Sequence, residues 1–255
     1  DYIKNYSRNH TIEQYLDLIR EAKKKLSIPV IASVNCMTAN EWPSFAKKIE
    51  EAGADGLELN AFVLPSDFEN DSADNEKMYF DIVNNVLDQV KIPISLKISS
   101  YFSSLAQMVQ KLSWTGVKGI VLFNRFYTPD IDIDKMKVVP SNIYSHPEEI
   151  AVSLRWVAIL ADRVNCDLAA STGIHDGKGV IKQLLVGAKA VQICSTLYKN
   201  GFGQIDNMLT ELESWMQKHN YSDIDQFRGK MSHKKSDNPA AYQRVQFMKH
   251  FAGID

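Results

Sequence analysis

Short apolar runs alternate with longer amphipathic segments along this chain. Residues 11–26, TIEQYLDLIREAKKKL, place apolar side chains at helical spacing, and the run 28–34 that follows reads as a buried strand. Residues 39–52 predict a helix, with Pro43 accommodated in its first turn and Gly53 as its stop, and ADGLELN over 54–60 predicts the next strand. The theme recurs, with helices predicted over 74–90, 103–113, 147–163, 176–186 and 202–218. Strands are predicted over 93–98, 119–124, 166–171 and 190–194, and the tail 221–255 reads as polar and helical. Six strands, each followed by a helix, predict an α/β fold whose parallel sheet is covered on both faces. The expected architecture is a (β/α)8 TIM barrel, which has eight such units in about 250 residues, with the first one or two units lying upstream of Asp1. An open doubly wound sheet is the alternative, weakened because no strand is followed by a G-x-G-x-x-G turn. No low-complexity linker divides the chain, so residues 1–255 read as a single domain.

Composition narrows the function class. The 255 residues carry 29 Lys plus Arg against 31 Asp plus Glu, a net charge of −2, and 45% of them are hydrophobic. That is an ordinary globular mixture, without the basic surface a nucleic-acid binder needs to neutralise phosphates. No run approaches the roughly 18 apolar residues of a membrane span, and the start DYIKNYSRNH has no signal-peptide apolar core. Cys36, Cys166 and Cys194 are far apart and form no zinc spacing, so no metal is expected and a reducing, cytoplasmic setting fits.

In a β/α barrel the chemistry sits at the C-terminal ends of the strands. Here those ends read Asn35-Cys36, Asn60, Lys97, Asn124-Arg125, Ser171-Thr172-Gly173 and Cys194-Ser195. Lys97 stands inside the apolar strand PISLKIS on the face of Ser95 and Ser99, where a cation can neutralise charge on a ligand. The alternative is a lysine reaching past the strand end to solvent. Asn60 and Asn124 each close an apolar strand, suited either to heterocycle recognition or to capping a turn. Ser171-Thr172-Gly173 and Cys194-Ser195 each join a strand to a helix, the pattern of a barrel phosphate site or of plain Ser/Thr caps. His175 lies beside the first of these turns, and Asp130, Asp132 and Asp134 alternate as on a solvated β-edge.

The runs IPVIASVNCMTANEWPSFAKKIEEAGADGLELN, PISLKIS, GIVLFNR, STGIHDGKGVIKQLLVGAKAVQICSTLYKNG and FRGKMSH resemble class 1, soluble dihydroorotate dehydrogenase, in matching order from about residue 28 to 232. The resemblance implies an FMN-binding barrel that oxidises dihydroorotate to orotate in pyrimidine synthesis, and a homodimer. It places Lys97 near the flavin N1 and C2 carbonyl, Asn60 against flavin and substrate, and Asn124 against substrate. Thr172 and Gly173 match the Gly-Gly of the family's phosphate turn, following Ser171, and Cys194 and Ser195 match its other phosphate turn. Three departures stand out. The family reads Asn-x-Ser-Cys-Pro-Asn after the Asn60 strand, with the Cys as base, whereas Asn60-Ala61-Phe62-Val63-Leu64-Pro65-Ser66-Asp67 offers only Ser66 or Asp67 as proton acceptor. Arg125 replaces a Ser or Thr beside the substrate Asn, which implies a pocket for a small anion that is dihydroorotate or similar to it. Thr172 and Cys194 replace glycines, narrowing the phosphate site.

Overall fold

The computed structural model describes residues 2–35 and 41–244, with the side chains of 2–10 and of Glu41 outside the description. Cys36, the first residues of the predicted 39–52 helix and the tail beyond 244 therefore lie outside the described residues. The chain forms two compact units, residues 1–126 with 164–167, and 127–163 with 168–255.

The first unit runs α1 (Tyr2–Lys25), β1 (Ile31–Val34), α2 (Glu41–Glu51), β2 (Gly56–Asn60), α3 (Ser72–Leu87), β3 (Ile94–Ile98), α4 (Leu105–Ser113) and β4 (Gly119–Leu122). Its strands pair in parallel and in sequence order, and the register decides the chemistry of each face. Ala32, Leu57 and Ile94 stand level with one another, as do Val34, Leu59, Leu96 and Ile120, and Ile98 with Leu122. All of these are at most 5% exposed, so one face of the sheet is a continuous apolar layer. Burying each of the Val, Leu and Ile side chains among them contributes about 1.5–3 kcal/mol. By the two-residue alternation of a strand, Ser33, Glu58 and Ser95 share the opposite face, and so do Asn60 and Lys97 one step further along.

Local interactions fix where each strand begins. The Asp55 carboxylate accepts from the Val30 backbone N–H at 2.7 Å and from Lys23 Nζ at 2.6 Å, tying α1 to the entries of β1 and β2. Glu50 Oε1 on α2 accepts from the Lys91 and Ile92 backbone N–H groups at 2.6 and 3.0 Å, just before β3. Tyr15 on α1 uses its hydroxyl twice at Ser33, donating to the carbonyl at 2.8 Å and accepting from the N–H at 3.0 Å. Helix α3 is capped by Asp71, which accepts from Asp74 N, and it buries Tyr79, Ile82, Val83 and Val86 at helical spacing.

The second unit carries the antiparallel hairpin β5 (Pro129–Asp132) and β6 (Lys137–Pro140), then α5 (Ile150–Leu160), β7 (Asp167–Ser171), α6 (Gly177–Val186), β8 (Ala190–Gln192), α7 (Ser195–Asn200), α8 (Gln204–Lys218) and α9 (Ala240–Gln243). Strand β7 begins in the first unit, where Asp167 N donates to Lys118 O at 3.0 Å, and continues in the second, paired in parallel with β8. The parallel order is β1-β2-β3-β4 in the first unit and β7-β8 in the second, the α/β class expected. Helix α6 packs on α5 and α8, and its N-cap Asp176 accepts from Gly179 N at 2.7 Å.

Three details differ from the sequence pattern. Strands β4 and β8 stop two residues early, and Ser195–Asn200 forms a short helix of its own. The alternating aspartates lie on and beside β5, with Asp132 opposite Lys137, so this edge is a hairpin rather than a lone strand. The tail predicted helical from 221 holds, among the described residues, one 3-10 turn at Ile224–Gln226 and the four-residue α9. Gly229 takes φ 70° and Pro239 follows, and neither continues a helix.

Burial pushes the Cys166 thiol up from 9.0 to about 11, with the neighbouring Asp167 charge adding to it, and burial also raises the Tyr15 and Tyr79 phenols. These groups hold their protons more tightly when folded. Their stabilisation is complete below pH 9 and is lost as pH rises through the folded values. Urea unfolding at pH 7, 9 and 10.5 should show stability little changed up to pH 9 and lower at pH 10.5, and Cys166→Ala should lessen that fall.

Candidate active site

At the ends of β2, β3 and β4 the first unit gathers the polar residues picked out by their strand-end positions. Asn60 and Lys97 stand level in register, both half-buried, between layers of fully buried neighbours. The Asn60 Oδ1 is buried and has no hydrogen-bond partner among the described residues. A buried acceptor of this kind normally has a donor, so it marks a place where one arrives. Glu58, two residues earlier on the same face, is 5% exposed and accepts from Ser33 Oγ at 3.0 Å. It places a buried carboxylate on the diagonal from Lys97. The alternation that picks out Lys97 in PISLKIS would have picked out Glu58 in LELN.

Asn124 acts as a brace. Its Nδ2 donates to the Ala61 carbonyl at 3.0 Å and to the Lys97 carbonyl at 3.3 Å, while its backbone N–H donates to Ile98 O at 2.8 Å. One amide therefore joins the ends of three strands, the capping role weighed for it from sequence. Arg125, next in the chain, is half-buried. Ser66 lies on an exposed loop, its N–H donating to Leu64 O at 2.8 Å. Asp67 accepts from Glu69 N at 3.0 Å and from Asn70 Nδ2 at 2.7 Å, so its carboxylate shapes the loop.

Two features at these ends were not legible in the sequence. Tyr79, 1% exposed, bonds both to the Ser99 side chain and to the Val63 backbone, so one phenol on α3 fixes the loops after β2 and β3. Those loops and the one after β4 bring Phe62, Tyr101 and Phe126 together. Phe62 stacks on Phe126 with ring centroids 4.2 Å apart, and Tyr101 meets Phe126 edge-on at 4.9 Å.

In the second unit the turn after β7 is Ser171-Thr172-Gly173. Ser171 is buried, and Thr172 and Gly173 both take φ 76°, a left-handed backbone that strains a β-branched residue. A Cβ at Gly173 would come 2.2 Å from the Ile150 N atom at the start of α5, so the position admits only glycine for packing reasons. Cys194 is exposed and precedes α7. The Ser195 hydroxyl accepts from the Ser145 N–H at 3.0 Å, and Ser145 Oγ is hydrogen-bonded to His175 Nε2 at 2.9 Å. Lys199 Nζ donates to the Ser145 carbonyl at 3.1 Å, and Thr196 Oγ1 and Gln204 Nε2 donate to the His175 carbonyl at 3.1 and 2.9 Å. Burial of the ring, helped by the Lys199 charge, holds His175 below its ordinary 6.5. Ser145 carried no signal in the sequence beyond preceding a proline-started turn.

A family model for dihydroorotate dehydrogenase matches residues 7–216. The chain belongs to the dihydroorotate dehydrogenase family. It is 29% identical over 218 residues to the catalytic subunit of dihydroorotate dehydrogenase B (NAD(+)) of Thermoplasma volcanium, covering 84% of this chain and 70% of that protein. The subunit of the same name from Thermoplasma acidophilum is 26% identical over 225 residues, covering 87% of this chain and 74% of the relative. Dihydroorotate dehydrogenase (fumarate) of Lachancea kluyveri is 25% identical over 239 residues, covering 88% and 76% respectively. The family model spans all six parallel β/α units, the α/β architecture of a partial TIM barrel. Among the described residues no helix is long and apolar enough to cross a membrane.

Gly173→Ala should destabilise the protein by about 2 kcal/mol or more, from the clash with α5 together with the left-handed backbone, as read by urea unfolding. His175 titrates below its unfolded value, so its contribution is present above pH 6.5 and is lost as pH falls. Unfolding midpoints should therefore drop on the acid side of pH 6.5, and His175→Gln should lessen that drop.

Proposed function

We propose that this chain is an FMN-dependent oxidoreductase of the dihydroorotate dehydrogenase type, acting on a small cyclic anion of which dihydroorotate is the first candidate. The observation that carries the reading is the partnerless, buried Asn60 Oδ1 in register with Lys97. That pair offers an acceptor for a ring N–H and a cation for a ring that gains negative charge, as a flavin does on reduction. FMN, when bound, supplies the hydride acceptor. Asn60 and Lys97 would hold its ring. Ser171, Thr172, Gly173, Cys194 and Ser195 are the positions at which the family holds the phosphate. Asn124 and Arg125 would face the substrate, and Ser66 would take the substrate proton. The proposal treats residues 1–255 as one FMN-binding domain of a cytoplasmic homodimer. The names of the relatives carry two electron acceptors, NAD(+) and fumarate, and both belong in the assay.

A second reading, a repurposed barrel acting on a different small anion, is favoured by the loop after Asn60. Val63 stands where the family has its Cys base and cannot accept a proton. A positioned base contributes about 10²- to 10⁴-fold, so its loss leaves dihydroorotate oxidation slow.

The purified protein should be yellow, and anaerobic dihydroorotate should bleach its flavin band. Protein that is colourless and indifferent to added FMN would overturn the proposal. Lys97→Ala should weaken FMN binding about tenfold or more, since hydrogen bonds to a charged group contribute about 1.5–3 kcal/mol. Val63→Cys should speed bleaching by dihydroorotate at least about tenfold if the missing base limits the reaction. Bleaching equally slow in both proteins would favour the second reading.

A further inference from the structure

We infer that Phe62, Tyr101 and Phe126 form a ring-binding platform at the ends of β2, β3 and β4, and that the substrate of this chain presents a flat, apolar ring beside its anionic group. The inference rests on the proposed function in placing the substrate at these strand ends, takes the second of its two readings, a small anion other than dihydroorotate, and names the class of that anion.

The three rings arrive from three different loops, each within four residues of its strand. They are not needed to seal the core beneath them. Leu59, Leu96, Ile98, Ile120 and Leu122 are already at 0% exposure. Yet Phe62 remains 41% and Tyr101 51% exposed. Large rings left open beside polar strand ends are characteristic of a ligand surface rather than of a core.

The geometry is specific. Phe62 and Phe126 lie 17° from parallel with centroids 4.2 Å apart, and Tyr101 stands at 78° against Phe126. Phe126 is thus engaged on two sides, while Phe62 stacks through one face and keeps large exposure. A further flat ring can continue the stack on Phe62. Tyr79 holds the loop positions, through the Val63 backbone and Ser99, so the platform is preorganised.

Charge complements the platform. Arg125, proposed to face the substrate, directly precedes Phe126. A guanidinium at the same strand end as a stack of rings suits an arene carboxylate. The faces of Phe62 and Phe126 offer no donors or acceptors for the amide-rich edge of orotate.

The test is isothermal titration of the purified protein, with the flavin it carries, using 2-naphthoate as probe against orotate and cyclohexanecarboxylate. Naphthoate should bind at least about tenfold more tightly than either, the effect of one stacked ring. Phe62→Ala and Phe62→Leu should each weaken naphthoate about tenfold while the protein stays folded at the assay temperature and keeps its flavin absorbance; Phe62→Leu keeps apolar bulk and removes the ring. Orotate binding more tightly than naphthoate, or naphthoate affinity unaltered in a folded Phe62→Leu protein, would overturn the inference. Protein without flavin that still binds naphthoate in a Phe62-dependent way would sink the FMN proposal and leave the platform standing.

Discussion

The parallel register of β1 to β4 is the constraint on which the rest of the first unit depends. Alternation along each strand sends every second side chain to the same face. Register then lines those side chains up across the sheet, so that Leu57, Leu59, Ile94, Leu96, Ile98 and Ile120 make one apolar layer. The same rule leaves Ser33, Glu58, Asn60, Ser95 and Lys97 together on the other face. A shift of one residue in β2 or β3 would turn Glu58 or Lys97 into the apolar layer and a leucine out of it. The energy that fixes the core therefore also fixes the site. Asp55, Glu50 and Asn124 secure that register at the two ends of the strands, the first two by capping strand entries and the third by joining strand exits.

The second unit solves a different problem. Its turn after β7 has to pass close to the backbone at the start of α5, and Gly173 permits that approach because it lacks a Cβ. Thr172 is carried into the same left-handed region beside it. Close by, Ser145, His175, Ser195 and Lys199 form one hydrogen-bonded group that ties the segment before α5 to the segment that opens α7. Hydroxyls that the sequence offers as phosphate ligands thus have structural work as well: Ser195 accepts from a backbone N–H of its own unit.

The strand ends of the first unit and the loop after β2 are under different constraints. Asn60 and Lys97 sit on strands and Asn124 two residues after one, where register holds them. Phe62 and Val63 sit on the loop after β2, where side chains can vary without disturbing the sheet. Three rings gather there, and Tyr79 anchors that arrangement from α3.

By itself the sequence determined the α/β class, the order of the six β/α units and the polar residues at the strand ends, because periodicity and Gly or Pro punctuation are local properties of the chain. It also determined the family, through STGIHDGKGV and its neighbouring motifs in their matching order. Only the tertiary structure decided what each polar group does. Asn124 became a brace, Glu58 a buried carboxylate near Lys97, and Tyr79 a tie between two loops, since each of these roles joins residues more than fifteen positions apart. The hairpin, the short helix α7 and the mostly non-helical tail were likewise settled by pairing and backbone angles that no local pattern encodes. The ring cluster shows the reason most plainly. Phe62, Tyr101 and Phe126 are unremarkable one by one along the chain, and only parallel register brings the three loop starts to one edge of the sheet.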